Sequence, residues 1–216
     1  MQTSIHEKAP WHLEFNNGLI PVLETPSGDL IKESAIIAQI AIEAGGDQGV
    51  QLIPKDPIAA AKMRLEIEAF KNKITPLWSV LWPAGEYVGM DDAATDKFGK
   101  EILPYWESLC AKTSDDKWLF GTAEPTLLDV TAAPFFEIIY CAQFGVLSNV
   151  TDRLNVKQNA PNLLKYVERW QAHPLIHPQR MRVKAANAHW VRSRGWEKGV
   201  KAQLSIEILE SGAFDD

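Results

Sequence analysis

From Ile58 onward, apolar residues return every three or four positions along most of the remaining chain, a period that only helices packed side by side can satisfy. Met63, Ile67, Phe70, Ile74, Leu77 and Leu81 form one such stripe, with Pro76 inside it, where a kink is expected. A second predicted helix runs from about Ala93 to Lys112. It turns Phe98, Ile102, Tyr105, Trp106 and Leu109 inward, and Pro104 should bend it. Thr126-Leu127-Leu128-Asp129 then has the form of a capping box, in which the hydroxyl accepts from first-turn amides while the aspartate reaches back to the cap. The helix behind it, to about Gly145, carries Leu128, Ala132, Phe135, Phe136 and Ile139 and is apolar enough to form the centre of a bundle. Pro161, placed for a first helical position after Asn159, opens a helix through Leu163, Leu164, Val167 and Trp170. Pro174 and Pro178 break the chain again. Beyond Ala185 helix is preferred, although Leu204, Ile206 and Ile208 alternate as a strand would.

The start of the chain reads differently. Leu19 to Glu24 is short, apolar and β-branched, the mark of a buried strand. Thr25-Pro26-Ser27-Gly28-Asp29 is a cluster of turn formers, and Leu30 to Glu33 suits a second strand, so a hairpin with a five-residue loop is expected. Ser34 is placed to cap a helix from Ala35 to Ala44, apolar nearly all round and therefore expected to be buried on most sides. Gly45-Gly46 ends it. The predicted organisation is an α+β unit over residues 1–45, a linker over 46–57 and an all-helical domain over 58–216.

Composition narrows the function classes. Of 216 residues, 46% are hydrophobic and 23% charged, which is globular rather than disordered. A net charge of −6 repels a phosphate backbone, and the richest basic stretch, Arg180 to Lys184 with Arg192 and Arg194, reads as the wet face of a helix; nucleic acid is not an expected partner. Two cysteines, Cys110 and Cys141, build no disulfide framework, so a reducing compartment, the cytoplasm, is expected. No run approaches the roughly 20 apolar residues of a membrane span, and no signal-peptide core is present.

Several strings carry a family resemblance. Trp11-His12-Leu13-Glu14-Phe15-Asn16-Asn17-Gly18-Leu19-Ile20-Pro21-Val22-Leu23-Glu24, followed by Gly28-Asp29-Leu30-Ile31-Lys32-Glu33-Ser34-Ala35, resembles the glutathione-binding half of the cytosolic glutathione transferases, closest to the omega class. Leu52-Ile53-Pro54-Lys55-Asp56-Pro57 resembles that class's linker, and Leu119-Phe120-Gly121 with Thr126 to Asp129 and Ala133-Pro134-Phe135 resembles its core capping segment. Asn159-Ala160-Pro161 and Trp196 also fit. The fold this implies is a thioredoxin-like domain, N-terminally shortened because its first strand and helix are absent, followed by an all-helical domain. The second strand would then lie around Thr3 to Glu7.

The resemblance also implies a site. Ile20, before a cis Pro21, would offer its backbone to the cysteinyl part of glutathione, although Pro21 also suits a plain strand edge. Ser34 and the first free amides of its helix would hold the γ-glutamyl carboxylate, and Glu33 the ammonium beside it. The plainer roles are a helix cap for Ser34 and a solvated strand end for Glu33. A lysine that usually meets the glycyl carboxylate has no counterpart in Leu13 to Gly18. Losing such a charge-assisted contact costs about 1.5–3 kcal/mol, so weak binding is expected.

No catalytic residue is identified. The family's catalytic cysteine belongs to the absent first helix. Cys141 lies in the most apolar helix, and Cys110 lies toward a helix C-terminus, where the dipole disfavours a thiolate. His173 and His177 have the spacing of a helical metal pair, but the proline after each argues against one regular face, and no metal site is expected. Trp78, Trp82, Trp106, Trp118 and Trp170 are expected in the core; Trp11 and Trp196 match family positions and suit an acceptor pocket. The function implied is glutathione-dependent thiol transfer or reduction toward an electrophilic or oxidised acceptor, by a homodimer. The alternative is a non-catalytic transferase-like module that assembles with another protein.

Overall fold

The computed structural model describes residues 8–46, 51–74, 92–144, 148–183 and 185–186. The Thr3–Glu7 strand, Pro76 with its kink, Leu77, Leu81, Trp78, Trp82, Trp196 and the segment beyond 186 lie outside the described residues. The chain divides into two compact units, Met1–Leu52 and Ile53–Asp216.

The first unit runs α1 (Pro10–Asn16), β1 (Val22–Glu24), β2 (Leu30–Lys32) and α2 (Ser34–Gly45). The strands are antiparallel, with Val22 opposite Lys32 and Glu24 opposite Leu30, so the loop has the five residues expected. Thr25 closes it: its C=O accepts from Gly28 N–H at 2.9 Å, its N–H donates to Asp29 C=O at 2.9 Å, and Gly28 takes the positive φ of 89° that the turn requires.

Two expectations are corrected here. The strand starts at Val22 rather than Leu19, and Leu19 and Ile20 are 62% and 74% exposed instead of buried. Pro21 has no N–H to give a ladder, and Leu19 is tied back to α1, so pairing begins only after both. Nor is α2 buried on most sides. It packs on the hairpin, none of its residues is fully buried, and Ile36 remains 47% exposed, because the two strands among the described residues cover one helix face only.

The second unit is helical: α3 (Pro57–Lys71), α4 (Asp92–Lys97), a π-turn (Phe98–Ile102), α5 (Leu103–Cys110), α6 (Leu127–Ala142), α7 (Ser148–Arg153), α8 (Val156–Asn159) and α9 (Pro161–Ala172), then a 3-10 turn (His177–Gln179). Asp56 caps α3 by accepting from Ala59 N–H at 2.7 Å, with Pro57 in the first turn. The helix predicted from Ala93 to Lys112 is interrupted by the π-turn, where Leu103 N–H reaches back to Phe98 C=O. Pro104 follows immediately; its ring would clash with the carbonyl four residues back, and the wider turn relieves this.

The core of this unit is aromatic. Phe70 stacks on Trp106 at 5.6 Å and meets Phe136 edge-on at 5.7 Å, while Trp106 also receives Phe98 edge-on at 5.4 Å. Met63, Phe70, Phe98, Trp106, Phe136 and Tyr166 are each at most 1% exposed. Burial of each such side chain is worth about 1.5–3 kcal/mol. Trp118 and Trp170 are buried as predicted, whereas Phe135 and Tyr105 are only half-buried. Among the described residues no helix is long and apolar enough to cross a membrane.

The capping box at α6 forms and does more than cap. The buried Asp129 carboxylate accepts from Thr126 N–H at 2.8 Å, Thr126 Oγ1 at 3.0 Å, Leu119 N–H at 3.0 Å and Tyr166 Oη at 2.9 Å. Four donors thus disperse one buried charge. Glu107 of α5 likewise accepts from Asn162 and Leu163 N–H at the start of α9, satisfying orphan amides that Ala160 cannot.

Candidate functional site

The end of α1 fixes the site's geometry. Asn17 and Gly18 turn left-handed (φ 49° and 68°), and Gly18 N–H donates to His12 C=O at 3.0 Å. Leu19 is then held from both sides. Its N–H donates to Asn16 C=O at 2.8 Å, and its C=O accepts from His12 Nε2 and Asn16 Nδ2, each at 2.7 Å. The clamped residue delivers the chain into Ile20-Pro21, whose peptide bond is cis. Ile20 stands out in solvent, and among the described residues no hydrogen bond reaches its N–H or C=O. An extended ligand can therefore pair with it as with a strand edge.

A cleft of about 620 Å³ opens beside this segment. Trp11 and His12 of α1, Ile20, Pro21 and Val22, and the hairpin residues Glu24, Gly28 and Leu30 line it. Its wall is mostly apolar, with few polar groups, as small-molecule clefts commonly are.

Glu33 and Ser34 are not among the lining residues, but the hairpin register places them close in topology. Val22 faces Lys32, so Pro21 and Glu33 extend from the same end of the two strands. Ser34 does not cap α2 as expected: it is the first helical residue, and its hydroxyl has no partner among the described residues. Glu33 occupies the cap position at φ 75°, and its C=O accepts from Ile36 and Ile37 N–H, both at 3.0 Å. A non-glycine residue held at positive φ stores about 1–3 kcal/mol. The N–H groups of Ser34 and Ala35 are likewise unpaired among the described residues, so a 12-residue helix presents free amides and its positive dipole end.

Sequence reasoning missed one cation. The aliphatic stem of Lys8 lies against Gly18, in the space a side chain there would occupy. It reaches the Gly18–Leu19 turn from outside the Leu13–Gly18 stretch in which a basic residue was sought. Its contact is through space across ten residues of chain, for which the local pattern carries no signal.

The cysteines belong to the helical unit and are buried. Cys110 ends α5, and burial, with Glu107 and Asp129 adding to it, pushes its thiol well above the usual range, the reverse of what a nucleophile needs. His173 leaves α9 in extended conformation with Nδ1 accepting from Leu175 N–H at 3.3 Å, while His177 starts the 3-10 turn. Among the described residues no group of three or more metal-ligating side chains assembles.

No family model matches the chain. It is 32% identical over 130 residues to a glutathione S-transferase-like protein of Gibberella fujikuroi, covering 59% of this chain and 60% of the relative. It is 27% identical over 154 residues to glutathione S-transferase omega-1 of Sus scrofa, covering 71% and 61%. A Zea mays protein described as a probable glutathione S-transferase is 30% identical over 165 residues, covering 73% and 67%. The chain thus spans about three-fifths of the length of the first two relatives. Among solved structures, glutathione transferase Omega 3C of Trametes versicolor superposes with a TM-score of 0.64 at 17% identity, over 91% of this chain and 80% of that one, a likeness of fold.

Proposed function

Since this chain belongs to the glutathione S-transferase family, we propose that it binds glutathione across the open end of the β1–β2 hairpin and serves glutathione-dependent thiol transfer or reduction. The observation that carries the proposal is Ile20: three-quarters exposed, with its main-chain N–H and C=O unpaired among the described residues, beside the 620 Å³ cleft. In this reading the cysteinyl part of the tripeptide pairs with Ile20. The γ-glutamyl carboxylate meets the Ser34 hydroxyl and the free amides of α2, and Glu33 takes the ammonium. Lys8, over Gly18, supplies the cation for the glycyl carboxylate that Leu13 to Gly18 does not contain. The nucleophile is the thiolate of glutathione or an active-site cysteine, a role that neither Cys110 nor Cys141 suits, both being buried in the helical unit. The acceptor is an electrophilic or oxidised small molecule.

Calorimetric titration with glutathione tests this. Ser34→Ala should weaken binding roughly tenfold, the loss of one hydrogen bond to a charged group. An unchanged isotherm would remove Ser34 from the site.

A second reading, a non-catalytic module that assembles with another protein, is supported by the outer edge of β1, which carries no pairing among the described residues. It predicts a stable hetero-complex and no glutathione-dependent thiol chemistry. A chain that turns over disulfides with glutathione on its own rules it out.

A further inference from the structure

The turn that ends α1 holds an asparagine directly before a glycine, Asn17–Gly18, and that pair has a chemistry of its own. Asparagine is thermolabile because the nitrogen of the following peptide can attack its side-chain carbonyl carbon. A side chain on the following residue hinders that approach, and glycine has none. Asn17 is exposed, and among the described residues no hydrogen bond holds its side-chain amide.

The native turn keeps the reacting atoms apart. Gly18 N–H, which must lose its proton before it can attack, donates to His12 C=O at 3.0 Å. A five-membered ring also requires Gly18 N to eclipse Cβ about the Asn17 Cα–C bond. Asn17 sits at φ 49° and ψ 29°, where that nitrogen is nearly anti to Cβ. The clamp on Leu19, whose N–H donates to Asn16 C=O and whose C=O accepts from His12 and Asn16, fixes the chain on the far side. The torsion can change only when these bonds open.

We propose that Asn17–Gly18 is a deamidation site gated by its own turn. When the turn opens, Gly18 N bonds to the Asn17 side-chain carbonyl carbon and ammonia leaves, giving a cyclic imide. Water then adds to either ring carbonyl and reopens the ring as aspartate or isoaspartate, with no redox change and no other reactant. The isoaspartate product routes the main chain through the side-chain carbon and so adds one methylene ahead of Leu19. A lengthened turn cannot keep Gly18 on His12 and Leu19 on Asn16 together, and Ile20 is no longer delivered to the edge of the cleft.

Peptide mapping by mass spectrometry tests this, with the chain held in mildly alkaline buffer both native and unfolded in guanidinium. The unfolded chain should convert Asn17, with the mass change of –NH2 exchanged for –OH, while Asn16, whose following residue carries a side chain, stays intact. The native chain should convert Asn17 slower by roughly tenfold or more, because the turn's hydrogen bonds must break first. Equal rates in the two states overturn the gate, and an unfolded chain unchanged at Asn17 overturns the site. The isoaspartate form, separated by chromatography, should bind glutathione roughly tenfold more weakly or worse; this arm alone rests on the glutathione reading above. Equal binding by the modified and fresh proteins overturns the link to the cleft. Fresh protein that binds no glutathione overturns that reading instead, and the ratio of rates then decides the site by itself.

Discussion

Asp129 concentrates the stability of the helical unit in one side chain, and its replacement by alanine has a calculable consequence. Four donors converge on the carboxylate, from Leu119, Thr126 (twice) and Tyr166, and all three residues are buried. A hydrogen bond to a charged group is worth about 1.5–3 kcal/mol, but these four share one acceptor and do not add. Removing the carboxylate also strands the Leu119 and Thr126 amides in a dry interior. A net loss of about 4 kcal/mol follows for Asp129→Ala. At about 2–4 °C per kcal/mol for a chain of this size, the midpoint should fall by about 8–16 °C. Asp129→Asn keeps one oxygen for Leu119 and Tyr166 but turns an N–H toward the Thr126 N–H, and about half that loss is expected. Tyr166→Phe removes one donor and should cost about 1 kcal/mol. Circular dichroism melts of the three variants give the series directly. Asp129→Ala melting within about 3 °C of the native chain would refute the reasoning, because it would mean that water or a shifted backbone re-pairs all four donors.

Three further predictions follow from the same physics. Burial raises the Glu137 carboxyl pKa despite the bonds it accepts from Gln171 Nε2 and Met181 N–H. The fold therefore favours its protonated form, so its contribution to stability is fully present below the ordinary carboxyl pKa and is lost as pH rises through the raised value. Melting temperature against pH should show this decline in the native chain relative to Glu137→Gln; parallel curves would sink the idea. Both cysteines are buried, so a disulfide reagent such as DTNB should titrate neither of the two thiols in the native protein and both after guanidinium unfolding; a fast native thiol would contradict the burial. Finally, Ile58 and Leu65 are 65% and 70% exposed along α3, an apolar stripe suited to a second copy of the chain. Light scattering should give about twice 24.2 kDa for the native protein and 24.2 kDa for Leu65→Glu; equal masses would place any contact elsewhere.

Much of the fold was legible because the rules involved are local. The five-residue hairpin loop, the capping box at Thr126, Pro161 in the first turn of α9 and the burial of Trp106 each follow from residues within a few positions of one another. Ile20-Pro21 and Glu33-Ser34 were legible as a motif, and the strand register carries both pairs to one end of the hairpin. Errors arose where a local rule met a tertiary limit. The pattern of α2 demanded burial that the two strands among the described residues do not supply, and a capping serine became an uncapped first residue behind a strained Glu33.

The sequence by itself determined which of the long segments are helical, where the hairpin turns, and which faces are apolar, because periodicity, proline and capping chemistry act over one or two turns. Only the tertiary structure decided which groups meet. Asp129 finds Tyr166 across 37 residues, Glu107 finds the first amides of α9 across 55 and 56, and Lys8 comes to rest over Gly18. A side chain's chemistry fixes what kind of partner it needs, but packing alone chooses among the many that qualify.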